Sequence, residues 1–510
     1  MNAIAPEITT NPLRTGLRME RTPSPCAIVI FGASGDLTKR KLLPALWALA
    51  EAQQLPPGFS VVGIARTPKS HETFRQELRD SIAGDTSIDT PSLENFLQGL
   101  YYLPGNINDP GMYESLNTLL HEIDHDRGTS GNRVFYISTQ PSFFSTVIDH
   151  LGKAGLANRR AHGPGWTRVV IEKPFGRDLK TAQELNREVL TVFNEQQVYR
   201  IDHYLGKETV QNLMVLRFAN TIWEPIWNRR YVDHVQITVA ENLGVEGRGG
   251  YYEEAGVVRD MIANHLLQLL TIVCMEPPVA FDADAVRDEK VKVLRAVRPF
   301  TPDRIRTDAV RGQYGHGFIA AQPVPGYREE EKVSPQSSTE TYAALRFYVD
   351  NWRWQDVPFL LRSGKRLPKR VSEIAIEFKP VPHLLFEEST PDVLAVRIQP
   401  DEGISLHFNA KIPGPQMHQR PVMMDFRYGT SFGVAPAEAY QRLLLDVMLG
   451  DSTLFTRRDE VEAAWKLLDP LLNAWSAEPA EDFPNYEAGT WGPAAADELL
   501  GSPARRWRRP

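Results

Sequence analysis

Up to about residue 200, short apolar runs alternate with stretches in which apolar residues return every three or four positions. CAIVIFG (26–32), SVVGIAR (60–66), RVFYIST (133–139) and RVVIEKP (168–174) predict strands buried on both faces, as in a parallel sheet. Between the first two, Leu42, Leu43, Leu46, Trp47 and Leu49 line one side of an expected helix, kinked at Pro44. After the fourth, Ala182, Leu185, Val189 and Phe193 mark a second amphipathic helix. Strand–helix alternation of this kind predicts a doubly wound, Rossmann-like domain.

Beyond residue 203 the period changes to two. VQITVAE, AALRFYV, EIAIEF and GISLHFNAKI alternate, and in the last Ile404, Leu406, Phe408, Ala410 and Ile412 share one face. The pattern predicts an α+β domain around a large, mostly antiparallel sheet with one packed face, covered by helices over 256–274 and 439–449. The expected division is a loose N-terminal arm over 1–25, a Rossmann-like domain over 26–202 and an α+β domain over 203–510.

Composition narrows the function. The 510 residues are 42% hydrophobic and 24% charged, with a formal net charge of −7. That balance argues against a nucleic-acid or membrane partner, and an anionic substrate must meet a local basic cluster. No stretch reads as a transmembrane helix; CAIVIF is strand length. Two cysteines, Cys26 and Cys274, exclude a disulfide framework or a thiolate metal site and fit a cytoplasmic location. Both are expected to be small buried hydrophobes.

Candidate chemistry lies in five places. FGASGDL hands the first strand to the first helix: Gly32 permits a tight turn and Gly35 lets a pyrophosphate approach the helix's first N–H groups, although the fingerprint's third glycine is missing. The second strand ends GIART, with Ala65 and Arg66 where an NAD site wants an acid, so NADP is expected, with Ser34 as a further donor. EKPFG ends the fourth strand with Lys173 at the sheet's carboxyl edge, held extended by Pro174. In GVVRDMIANHLLQLL, His265 shares the inward stripe of Val258, Met261, Ile262 and Leu269, as a core histidine or as a base. No second histidine stands at ligand spacing on that helix, so no metal is expected. RSGKRLPKR is the densest basic cluster, its charges expected to be mostly solvated.

RIDHYLGKE (200–208) joins the halves. Entering extended, it would point Asp202 and His203 to opposite sides, and a turn begun at Tyr204 and eased by Gly206 would bring Lys207 beside His203.

Together with FGASGDLTKRKLLPAL, EKPFG, GRGGYYEEAGVVRDMIANH and RSGKRLPKR, in this order, RIDHYLGKE resembles the glucose-6-phosphate dehydrogenase family from about residue 26 to the C-terminal helices. The resemblance implies His265 as general base with Asp202 as its partner, and His203, Tyr204 and Lys207 on the sugar phosphate. It implies Glu241 and Asp260 on sugar hydroxyls, with Lys365 and Arg370 closing over the substrate; many bacterial relatives carry lysine at the latter place. Lys173 would sit between substrate and nicotinamide. Gly32, Ser34, Gly35, Asp36, Leu37 and Arg66 would contact NADP, with Asn106 and Ile107 of GNIND and with Pro141. The implied reaction is oxidation of glucose 6-phosphate at C1 to the 6-phosphoglucono lactone, by a homodimer or homotetramer. Two rival readings are a Rossmann oxidoreductase of an unphosphorylated sugar or polyol, and a non-catalytic NADP-binding sensor.

Overall fold

The computed structural model describes residues 22–82, 91–157, 165–386, 389–433 and 437–510. All of the expected N-terminal arm except residues 22–25 lies outside them.

Six parallel strands form the first sheet: β1 (Cys26–Phe31), β2 (Phe59–Ala65), β3 (Leu100–Pro104), β4 (Arg133–Ile137), β5 (Thr167–Ile171) and β6 (Val198–Arg200), in the order β3-β2-β1-β4-β5-β6. The four strands expected from their apolar runs are the middle four, and every residue of β1, β2 and β4 is buried. The flanking strands escape a reading by pattern, because β3 is partly open at the edge and β6 has only three residues. Strand order reverses between β1 and β4, which opens a crevice at the carboxyl ends. The helix after β1 is wound wide over Thr38–Leu42, with the Leu43 N–H donating to the Thr38 carbonyl. Pro44 has no N–H for the usual bond one turn back, so the expected kink takes the form of a widened turn.

The second half carries β7 (Val232–Ala240), β8 (Ala309–Gly312), β9 (Tyr314–Ile319), β10 (Gln322–Val324), β11 (Tyr342–Phe347), β12 (Phe359–Gly364), β13 (Val371–Phe378), β14 (Val393–Gln399), β15 (Gly403–Lys411), β16 (Gln419–Arg427) and β17 (Tyr486–Ala488). Eight of them form one sheet in the order β16-β15-β14-β13-β7-β12-β11-β8, antiparallel except where β7 meets β12. The strands β10, β9 and β17 make a small separate sheet.

The expected single packed face is corrected in two ways. In the centre both faces are buried: the polar set Gln236, Thr238, Arg362 and Glu373 is covered as well. Its cover is the C-terminal tail, where Gln236 donates to the Arg506 carbonyl, Arg508 pairs with Glu373 and Trp507 lies on the Arg362 guanidinium. At the β15–β16 edge the reverse holds. Ile404, Leu406, Phe408 and Ala410 are only half-buried, and Met424, opposite Leu406, is exposed.

Of the two helices expected on this sheet, the first lies on it, as Val258–Leu266 followed by Leu267–Cys274. This stretch belongs to the one segment among the described residues, Glu246–Cys274, that is long and apolar enough to span a membrane; 89% of its apolar window is buried in the fold, as befits a core helix. The second, Ala439–Leu449, packs instead on the first helix of the Rossmann half, where Arg168 donates to the Val447 and Met448 carbonyls. Helix Arg458–Ala477 returns there too, with Trp465 donating to the Phe175 carbonyl. The chain's last helices therefore clasp its first domain.

Candidate active site

The site forms where the carboxyl edge of the first sheet meets the inner helix. Lys173 stands two residues past β5. Gly256, at φ +61°, breaks the helix before Val258; a Cβ there would fall 2.3 Å from a Glu340 carboxylate oxygen, so only glycine fits. The following turns, Val258–Leu266, are wound wide rather than as the expected regular helix, yet His265 faces inward and is 1% exposed.

His265 Nδ1 lies 2.5 Å from Asp202 Oδ1, and its Nε2 lies 2.9 Å from Lys173 Nζ. A lysine ammonium can only donate, so Nε2 is the acceptor and the Nδ1–H donates to Asp202. That is the tautomer a base requires. Lys173 also donates to the Asp260 carbonyl at 3.0 Å and to its carboxylate at 3.2 Å, and Tyr251 donates to the same oxygen. Burial opposes ionisation of Asp202, but His265 outweighs it and holds the carboxyl at about 2. Burial lowers the His265 pKa, Asp202 pulls it back up and Lys173 lowers it again, with a net downward shift. Burial likewise works against Asp260, yet Lys173, Lys365 and Arg248 keep it well below the usual carboxylate range.

The RIDHYLGKE segment turns twice: the expected turn at Tyr204 forms, with the Lys207 N–H donating to the Tyr204 carbonyl at 3.1 Å, and another opens before it at Asp202. The Asp202 carbonyl accepts from Leu205 N–H and its carboxylate from Tyr204 N–H, a side-chain turn that aspartate favours. The expected split of Asp202 and His203 to opposite sides does not occur. The His203 ring meets His265 edge-on at 4.6 Å, and the Tyr204 ring stacks on the same imidazole at 4.4 Å. Burial, then His265 and Lys173, holds His203 neutral. Lys207 comes round before the helix Glu208–Phe218 and donates to Gln399 at 3.1 Å.

Glu241 and Lys365 face each other at 2.6 Å. Arg370 is exposed, close enough to Lys207 and Tyr204 to act on both electrostatically. The basic run thus divides: Arg362 and Arg366 are buried in the fold, contrary to the expectation that most of its charges are solvated, while Lys365 pairs with Glu241 and Arg370 is exposed. Sequence reasoning missed Gln399, Ser372, which bonds the Tyr204 hydroxyl, and Tyr440, whose ring lies parallel to His203 at 6.2 Å. None stands in a charged or glycine-marked motif, so no local signal identifies them.

The cofactor candidates line the same edge. Gly32 turns at φ +92°, and a Cβ there would lie 2.2 Å from the Ser138 carbonyl oxygen. The helix begins at Asp36, just past Ser34 and Gly35, and Asp36 pairs with Arg40 at 2.7 Å while Leu37 is half-buried. Arg66 follows β2, Asn106 and Ile107 follow β3, and Pro141 follows β4, with Arg66, Asn106 and Pro141 exposed. A turn closed to side chains at Gly32, leading into a helix start, fits a dinucleotide pyrophosphate. Asp202, His203 and His265 could approach a metal by distance. The Lys173 ammonium, 2.9 Å from His265 Nε2, already takes that nitrogen's lone pair, which a metal would need. Cys26 and Cys274 are buried, and burial pushes the Cys26 thiol up to about 12, so neither is a nucleophile.

The chain matches two family models, the glucose-6-phosphate dehydrogenase NAD binding domain over residues 29–212 and the glucose-6-phosphate dehydrogenase C-terminal domain over 214–508. It is 49% identical over 486 residues to glucose-6-phosphate 1-dehydrogenase of Aggregatibacter actinomycetemcomitans, covering 95% of this chain and 97% of that protein. The enzyme of the same name from Bacillus subtilis is 43% identical, covering 94% and 97%. A solved structure of a glucose-6-phosphate dehydrogenase in complex with its substrate glucose 6-phosphate superposes with a TM-score of 0.86 at 36% identity, covering 96% of this chain and 99% of that one.

Proposed function

Since the chain belongs to the glucose-6-phosphate dehydrogenase family, we propose that His265, Asp202 and Lys173 carry the reaction and that NADP is the preferred cofactor. The enzyme oxidises glucose 6-phosphate at C1 to 6-phospho-D-glucono-1,5-lactone, the first step of the oxidative pentose phosphate pathway. Bound NADP supplies the hydride acceptor.

His265 Nε2 takes the proton of the C1 hydroxyl, displacing the Lys173 amine from its present bond. Asp202 keeps the tautomer and stabilises the imidazolium. Lys173 remains beside the oxygen, where its charge favours the departing proton. His203, Tyr204, Lys207 and Arg370 grip the phosphate, and its binding energy orients C1. Glu241, Asp260 and Lys365 hold the sugar. The observation that carries this reading is the His265 imidazole, bonded to Asp202 on one nitrogen and held as an acceptor by the Lys173 ammonium on the other.

Arg66, with no acid at the end of β2, supports NADP over NAD. Ser34, Gly35, Asp36, Leu37, Asn106, Ile107 and Pro141 complete the cofactor edge. The half-buried apolar face of β15 and the exposed Met424 support a homodimer through that sheet edge. Two buried thiols suit the cytoplasm.

Assays of glucose and glucose 6-phosphate, each with NAD and NADP, test the reading. Activity is expected with the phosphorylated sugar and to be highest with NADP; equal rates with free glucose would refute the phosphate grip. His265→Asn is expected to lower kcat at least ~10²-fold while glucose 6-phosphate still binds.

A further inference from the structure

Behind the His265–Asp202 pair lies an internal cavity of about 30 Å³, bordered by Glu172, Arg200, Asp202, Asn264, Gln268 and Glu460 among others. It sits at the junction of the first sheet, the inner helix and the returning C-terminal helix. Asp202 Oδ2, Gln268 Oε1 and Arg200 Nε are all buried and have no hydrogen-bond partner among the described residues. Asp202, Gln268 and Arg200 are 3%, 4% and 2% exposed.

The chemistry of these three atoms is specific. An ionised carboxylate buried with one oxygen unpaired is costly, and Asp202 is held ionised. Its orphan oxygen needs a donor, but the neighbouring Gln268 offers another acceptor. Only a small molecule with two donor hydrogens serves both, and it must itself accept from the Arg200 N–H. Water meets all three demands, and a polar cavity of this size has room for one molecule, two at most. A cation would satisfy the two oxygens but could not accept the Arg200 Nε–H.

We propose that this cavity holds an ordered water bridging Asp202 Oδ2 to Gln268, which makes Gln268 a positioning residue for the His265–Asp202 pair. Gln268 lies one turn beyond His265 on the same helical segment. The bridge holds the carboxylate plane so that Oδ1 stays on His265 Nδ1. It also disperses part of the negative charge, which moderates the upward pull of Asp202 on the imidazole. Lys173, Asp260, His203 and the stacked Tyr204 are the other charged or titratable groups around that ring.

The role of Gln268 rests on His265 being the base; the water site does not. A crystal structure of the full-length protein is expected to show density for a water touching Asp202 Oδ2 and Gln268. A dry cavity there would overturn the proposal whatever His265 does. Gln268→Met keeps the shape and removes the acceptor. It is expected to lower kcat about five- to tenfold, leave the KM for glucose 6-phosphate within about twofold, and move the acid limb of kcat/KM about half a unit to higher pH. A folded variant whose limb does not move would reduce Gln268 to packing. If the variant fails to fold, the wild-type crystal structure decides the matter.

Discussion

Among the described residues, two buried histidines each pair with an aspartate at similar distance, and the two pairs have opposite character. His265 meets Asp202 at 2.5 Å, and His234 meets Asp233 at 2.8 Å, with both imidazoles almost fully buried. They differ at the distal nitrogen and in the company of the carboxylate. His234 Nε2 accepts from the Gln236 amide at 2.9 Å, and Asp233 is gripped by Arg505 through two bonds at 2.8 and 3.1 Å. Each of these partners is fixed by the C-terminal tail or by β7 itself. His265 Nε2 instead meets the end of a flexible lysine, and the side chain of Asp202 receives only the imidazole and the Tyr204 N–H among the described residues. Such a pair can work as machinery where its outer nitrogen faces something that can leave, the role proposed for His265, and is a rivet where the chain closes over it.

The sharpest test of that contrast is to remove both carboxylate charges separately. Asp202→Asn is expected to lower kcat by ~10³ with little change in stability, because the imidazole loses its tautomer control. Asp233→Asn is expected to leave kcat within about twofold; a large loss there would erase the distinction. The next effect is on binding. Lys207→Ala is expected to raise the KM for glucose 6-phosphate by ~10–100-fold and to change kcat much less, as the loss of one charge-assisted bond implies.

A smaller effect is expected at the tail. Arg505→Ala leaves the partly buried Asp233 without its guanidinium and is expected to cost about 1–2 kcal/mol in unfolding by denaturant, with activity intact below the transition. The least is a separation by pH. With His265 as the proposed base, its neutral form is the active one; its pKa is lowered from the ordinary value of about 6.5, so kcat/KM is expected to hold from pH ~8 down to ~6.5 and to fall only below that. Asp233 is depressed chiefly by its bond from His234, with Arg505 adding to it. Its stabilisation is therefore complete above the unfolded value of about 3.9 and lost as pH falls below it. Activity and the tail should fail in different acid ranges, and a shared midpoint would show the two pairs to be coupled.

Much of this was legible in the chain. The four central strands announced themselves as unbroken apolar runs because a parallel sheet is buried on both faces. His265 on an inward stripe and Lys173 at a strand end were visible for the same reason of period and position, although neither reading alone separated a core residue from a working one. The errors arose where long-range contacts overrode the local pattern. Strict alternation in β7 and β13 suggested a solvated polar face, yet the tail at residues 505–508 covers it. The helix Ala439–Leu449 looked like cover for the large sheet and instead docks on the first domain. RIDHYLGKE looked extended at Asp202, but the carboxylate capturing the Tyr204 N–H starts the turn there.

Period and glycine placement determined the two kinds of sheet and the dinucleotide cradle, and the family resemblance carried by RIDHYLGKE and its companion motifs added the residue types for an acid–base reaction at a phosphorylated sugar. These are local properties: backbone sterics and side-chain spacing act over a few residues. Which aspartate meets which histidine, which arginines are buried and what the C-terminal tail covers were decided only by tertiary structure. Asp202 and His265 are 63 positions apart and Arg505 and Asp233 are 272, and no local preference carries information over such separations. Only the packing that removes them from water brings those charges together and makes each need its partner.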